Sequence, residues 1–141
     1  MSVRQILEEK GRDVATLGPD SSLRQAAELL AEKRIGALVS MSGEQIAGIL
    51  SERDVVRAIA KDNTSSLDRP VSAFMTQDVK TCSADSSIEE VMDQMTDGRF
   101  RHLPVVESDR MIGIISIGDV VKRRIRQAQQ EADSLKQYIA S

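Results

Sequence analysis

Apolar residues recur along this chain with two periods, and the same order of periods occurs twice. Leu23, Ala26, Ala27 and Leu30 are spaced i, i+3, i+4, i+7, the stripe of a helix that buries one face. Ile88, Val91, Met92 and Met95 repeat it. Ser22 with Gln25, and Ser87 with Glu90, stand just before these stripes at the spacing of a capping box, which predicts where each helix begins. Two short extended runs follow each helix. Residues 37–41 and 45–50 flank Ser42-Gly43-Glu44, and residues 102–107 and 111–115 flank Ser108-Asp109, so each pair predicts a hairpin. Val14–Thr16 and its counterpart from Val79 to Thr81 predict a short strand ahead of each helix, the first before a Gly18-Pro19 turn. Further helices are expected from Asp54 (Val55, Val56, Ile59) and from Asp119 (Val120, Val121, Ile125). The predicted fold is α/β (α+β): a β-α-β-β-α unit used twice, with its halves related by a pseudo-twofold axis.

The flanks do not repeat in this register. Val3, Ile6 and Leu7 lie on one face of an N-terminal helix that Gly11 can stop. Residues 61–70 are polar and end in proline, which reads as a linker. The expected division is therefore 1–70 for the N-terminal helix, first repeat and linker, and 71–141 for the second repeat and a C-terminal helix. In that last helix Val121, Ile125, Ala128, Ala132, Leu135 and Ile139 make a continuous stripe, suited either to its own domain or to another subunit.

Composition narrows the functional classes. The core has to be aliphatic, because two Phe, one Tyr and no Trp supply the aromatic residues. Few rings to stack on bases and a net charge of −3 argue against nucleic acid as a partner. No apolar run approaches the roughly 20 residues that cross a bilayer, and the start lacks a signal-peptide core, so a cytoplasmic protein without a membrane partner is expected. The single cysteine, Cys82, rules out an internal disulfide and packs most simply as a small hydrophobe.

Chemistry gathers where the repeat is strictest. Gly48-Ile49-Leu50-Ser51-Glu52-Arg53-Asp54 matches Gly113-Ile114-Ile115-Ser116-Ile117-Gly118-Asp119 at an offset of 65 residues, and the same offset aligns 14–57 with 79–122 without a gap. Each Asp sits at a strand-to-helix junction. A carboxylate there can accept two hydrogen bonds from a ribose diol, or it can act as an N-cap with no ligand. Unpaired N–H groups and the positive end of the helix favour a phosphate, to which Ser51 and Ser116 can add hydroxyl donors. The glycines at 48 and 113 permit a close backbone approach or satisfy tight strand packing. Arg101 and His102 precede Leu103-Pro104 in the second repeat, where the first has Gly36-Ala37. Conversely, Arg53 stands where the second repeat has Gly118. His102 suits a strand position as well as a ligand contact. Thr16 and Thr81, each two residues past a valine, fit ordinary β-branched strand packing. Arg34 and Arg99, each ending a first helix, are explained by that placement.

These heptads, with Phe74-Met75-Thr76, the run from Val79 to Ile88, and Arg101-His102-Leu103-Pro104-Val105-Val106, resemble a tandem pair of cystathionine β-synthase (CBS) domains, a Bateman module. The resemblance implies repeats that meet through their sheets and leave clefts for an adenosine-containing ligand. AMP is foremost, with ADP, ATP, NAD(H) or S-adenosylmethionine as alternatives. The residues it implies for binding are Asp119, Ser116, Gly118, His102, Arg101, Pro104, Thr81 and Val79 in the second repeat, and Asp54, Ser51, Arg53, Thr16 and Val14 in the first. It also implies a homodimer, acting as a stand-alone bacterial-type CBS domain protein that reports energy or redox state to a separate enzyme or transporter. The competing expectation is a ligand-independent dimerisation or adaptor module with partly degenerate sites. No paired acid and base, activated nucleophile or spaced metal ligands point to catalysis, so no enzyme and no metal are expected.

Overall fold

The computed structural model describes residues 2–140. The helices are α1 (Val3–Lys10), α2 (Leu23–Lys33), α3 (Glu52–Asp62), α4 (Ile88–Gly98) and α5 (Ile117–Ala140). The strands are β1 (Thr16–Leu17), β2 (Ala37–Ser42), β3 (Gln45–Ser51), β4 (His102–Glu107) and β5 (Arg110–Ser116), and short 3-10 turns lie at Thr64–Asp68 and Val71–Ala73. Sheet order is β1-β2-β3 in the first repeat and β4-β5 in the second. The chain packs as two compact units, one of residues 13–80 with 108–111, the other of residues 2–12, 81–107 and 112–140.

In the unit of 13–80, β1 runs parallel to β2, and β2 pairs antiparallel with β3 so that Leu38 faces Leu50 and Ser40 faces Gly48. Leu23, Ala26 and Leu30 of α2 pack on Leu38, Leu50, Ala58 and Val71, with Leu67, Phe74 and Met75 against them. The segment after α3 is thus not the polar linker that residues 61–70 suggest. Asn63 and the 3-10 turn reverse the chain, Ser66 is buried with its hydroxyl donating to the Asn63 carbonyl at 2.8 Å, and Val71 is fully buried. Polar composition hid one apolar residue per turn, Leu67 and then Val71, on the side that faces α2 and α3.

The other unit reproduces this core as Ile88, Val91, Met95, Leu103, Val105, Ile115 and Val120, completed by Val3, Ile6 and Leu7 of α1. Each fully buried Leu or Ile contributes about 1.5–3 kcal/mol, so α1 is part of this core. Repeats and packing units therefore do not coincide. Residues 2–12 pack with the second repeat, and residues 71–80 pack with the first. The two segments do equivalent work. Val71 N–H donates to Ser21 O (2.7 Å) and Leu23 N–H to Arg69 O (2.9 Å), while Val3 N–H donates to Ser86 O (3.0 Å). Val3, Ile6 and Leu7 match Val71, Phe74 and Met75 at an offset of 68 residues, three more than the offset that aligns the repeats themselves.

One predicted strand is reduced. The second repeat has no leading strand among the described residues, and a single parallel bridge joins Cys82 to Val105. Pro104 is the reason. Its counterpart Val39 donates its N–H to Ala15 O at 3.1 Å, and proline has no N–H to give to the aligned Lys80. Arg34 and Arg99 end α2 and α4 in the left-handed conformation (φ 54° and 57°), a C-cap geometry commoner for glycine.

Candidate functional site

The duplicated motif folds as a helix cap. Ser51 is the N-cap of α3, its hydroxyl accepting from Asp54 N–H (3.3 Å), while its own N–H donates to Asp54 Oδ2 (2.8 Å). Ser116 and Asp119 repeat the arrangement at the start of α5, at 3.2 Å and 2.9 Å. Neither Asp is the N-cap itself. Each is the third helical residue of a capping box, one turn inside the position that the strand-helix boundary suggests. The hydroxyls of Ser51 and Ser116 are accordingly engaged by the backbone.

A residue absent from the sequence expectations completes the second box. Lys10, the last residue of α1, places Nζ 2.7 Å from Asp119 Oδ2 and 2.9 Å from Ile114 O. The bonds from Lys10 Nζ and the Ser116 N–H both reach Oδ2. Burial pushes the Asp119 carboxyl up, but the Lys10 ammonium and the Ser116 N–H and hydroxyl together outweigh it and hold the group below the usual carboxylate range. Lys10 was out of sight because the 65-residue register leaves α1 unaligned. At the 68-residue offset it falls opposite Asp78, an acid that pairs with Lys80 at 3.2 Å.

Around Asp119 lies a cavity of about 150 Å³ lined by Ile6, Glu9, Lys10, Lys122, Arg123 and Arg126. Four cationic side chains there face two carboxylates, an environment suited to an anionic group. Gly118 is exposed, and a Cβ on it would meet no more than Ser116 Oγ at 3.6 Å, so space stays open beside the box where the first repeat carries Arg53. Arg53 lines a different hollow of about 330 Å³ with Glu52, Val56 and Arg57, a set that does not include Asp54. A roomier groove of about 500 Å³ between α2 and α3 touches Arg34, Ile35, Gly36 and Val56 but neither Ser51 nor Asp54, so size and chemistry part company there.

The remaining expected residues fall as follows. Arg101 is exposed just ahead of β4, its carbonyl accepting from Ile117 N–H at 2.8 Å, which ties it to the first turn of α5. His102 opens β4 half-buried, and Pro104 is buried. Thr16 is exposed on β1 with Val14 half-buried before it. Val79 and Thr81 fall in different packing units. The motif glycines serve packing: a Cβ on Gly48 would lie 2.5 Å from Met75 Sδ and 2.9 Å from Thr76 O, and one on Gly113 2.7 Å from Leu7 Cδ2. Cys82 is buried, which pushes its thiol up to about 12 and leaves it unreactive.

Two β-hairpin-and-helix repeats, each starting its last helix with a Ser–Asp box, define a tandem-repeat class of α/β module. The chain belongs to the CBS-domain family, whose model matches residues 3–61 and 71–126. Both matches begin where the core-completing valine stands, at Val3 and Val71. The chain is 37% identical over 125 residues to the mitochondrial CBS domain-containing protein CBSX3 of Arabidopsis thaliana, covering 85% of this chain and 61% of that one. It thus spans less than two thirds of that relative. A CBS-domain containing protein from Agrobacterium tumefaciens superposes with a TM-score of 0.86 at 47% identity, over 88% of this chain and 99% of that one. A CBS domain protein from Pyrobaculum aerophilum, complexed with AMP, superposes at 0.76 with 24% identity, over 84% and 89% of the two chains. A CBS domain pair in complex with 5′-methylthioadenosine and S-adenosyl-L-methionine superposes at 0.80 with 22% identity, over 90% and 98%. No helix among the described residues is long and apolar enough to cross a membrane.

Proposed function

We infer that this protein is a regulatory module that binds an adenosine-containing ligand, AMP foremost, and passes its occupancy to a separate enzyme or transporter in the cytoplasm. The observation that carries the reading is the Asp119 box. Its carboxylate is kept ionised with its known bonds gathered on Oδ2, so Oδ1 is the oxygen offered to a ribose diol. Lys122, Arg123, Arg126 and Lys10 line the adjoining cavity and suit a phosphate. The ligands held by the AMP-bound and S-adenosylmethionine-bound relatives share the adenosine part that such a box would recognise. ADP, ATP and NAD(H) share it too, and a homodimer is part of the proposal. The role is binding rather than catalysis.

One observation favours the competing adaptor reading: Lys10 already neutralises Asp119, as a purely structural ion pair would. Thermal denaturation with AMP, ADP, ATP, NADH and S-adenosylmethionine separates the two. A ligand at 100 times its Kd stabilises the fold by about 2.7 kcal/mol, roughly 10 °C in Tm for a chain of this size. Asp119→Asn should remove most of that rise while the unliganded protein still melts cooperatively. No rise with any of the five ligands would leave the adaptor reading standing.

A further inference from the structure

Helix α5 continues well past the packed part of its unit. It is 24 residues long, about 36 Å at 1.5 Å per residue. Val120 is buried, but residues 128–140 are all exposed. That exposed surface is not uniformly polar. Val121, Ile125, Ala128, Ala132, Leu135 and Ile139 step by 4, 3, 4, 3 and 4 residues, which places Ile125, Ala132 and Ile139 at heptad position a and Val121, Ala128 and Leu135 at d. The four larger side chains of this seam are 43%, 54%, 59% and 75% exposed in chain order. The opposite face is tied down. Glu9 of α1 bonds Arg123 and Arg126, positions f and b, so the seam turns away from α1. A projecting helical end of this length is marginal in water unless its apolar side is covered.

We propose that α5 pairs with α5 of a second copy as a parallel, two-stranded coiled coil over residues 121–139. The proposal deepens the homodimer part of the reading above and does not depend on its nucleotide part. Isoleucine at a with leucine at d favours two strands, and the alanines at 128 and 132 let the axes approach closely. Charge selects both the partner and the direction. In a parallel pair Glu131 at g faces Lys136 at e of the other copy, twice per dimer by symmetry. An antiparallel pair can build the same layers, with 121 opposite 139, 125 opposite 135 and 128 opposite 132. It would set Lys122 against Lys136 and Glu131 against Glu131, so like charges oppose it.

Sedimentation of the full chain across a dilution series, with single-cysteine crosslinking, tests this. The wild-type protein should be a dimer, and the double variant Leu135→Glu/Ile139→Glu a monomer at the same concentration that still unfolds cooperatively, because both side chains are exposed and neither belongs to the core of its unit. Lys136→Glu should raise Kd by roughly threefold to tenfold, and adding Glu131→Lys should restore it. Ala132→Cys should oxidise to a dimer crosslinked with itself; buried Cys82 does not compete. A wild-type monomer, or a double variant that stays fully dimeric, would overturn the seam. Preferential crosslinking of Ala128→Cys to Ala132→Cys in a mixture of the two variants would overturn the parallel direction.

Discussion

The boxes at Asp54 and Asp119 are built from the same residue types in the same order, yet they occupy different electrostatic settings. Asp54 takes its hydrogen bonds from the N–H and hydroxyl of its own Ser51. Asp119 has its Ser116 and also Lys10, which arrives from 109 residues away along the chain. The cap fixes backbone geometry identically in both repeats, while charge is set by whichever segment completes each core. A duplicated motif is therefore a duplicated scaffold, on which two different sites can stand.

The largest expected effect concerns the glycines behind the two boxes. Gly48→Ala would press a methyl against Met75 and against Thr76 O, a carbonyl fixed by reciprocal bonds with Ile49 at 3.0 and 2.9 Å. Gly113→Ala meets the end of the Leu7 side chain, which can turn aside. Both should destabilise by about 1–3 kcal/mol in urea titrations, Gly48→Ala by the larger amount. Equal losses would mean that the two supporting segments yield alike.

A smaller effect is expected inside the first core. Ser40 is fully buried at the position where the second repeat has Val105, and among the described buried side chains its hydroxyl alone finds no hydrogen-bond partner. Ser40→Ala should therefore stabilise the protein by about 1 kcal/mol, read from the same titrations. A loss instead would show that the hydroxyl has a partner in solution, and the two cores would be closer in character than their sequences.

The smallest effect isolates the charge difference itself. A carboxyl held below its ordinary value adds stability above that value and loses it as pH falls through the folded one. Asp119 thus contributes at neutral pH, and its contribution fades below about pH 4. Lys10→Met should reduce stability at pH 7 by less than about 1 kcal/mol. The deficit should shrink toward pH 3, while Asp119 titrates at higher pH in carboxyl-carbon NMR spectra. An unchanged Asp119 titration would make the two boxes electrostatically equivalent after all.

Much of this was legible from periodicity, because helix stripes, hairpin turns and caps are local. The stripe from Leu23 to Leu30, the hairpin at Ser42–Glu44 and the serine caps at 22 and 87 all needed no more than neighbouring residues. What escaped was non-local or hidden by an offset. The serine-to-aspartate spacing of three residues is that of N-cap and N3, but attention to the strand end set the helix start at the Asp. The match of Val3-Ile6-Leu7 with Val71-Phe74-Met75 lies three residues out of register with the main repeat, so Lys10 had no aligned partner to draw notice. Pro104 shortening its neighbouring strand was readable in principle, since a missing N–H is a property of the residue alone.

The crossed assignment of the segments 2–12 and 71–80 has a consequence for how the chain comes to be folded. Residues 13–80 emerge from the ribosome nearly as a contiguous set and can collect their own core early. Val3, Ile6 and Leu7 precede that set along the chain, yet their core includes Val120, so completing it requires closing a loop that spans both repeats. Until then this arm carries uncovered aliphatic side chains. At high local concentration it could be received by the second repeat of a neighbouring nascent chain, giving an exchanged assembly built from the same contacts. The order of synthesis, and not contact strength alone, then decides whether each chain completes itself.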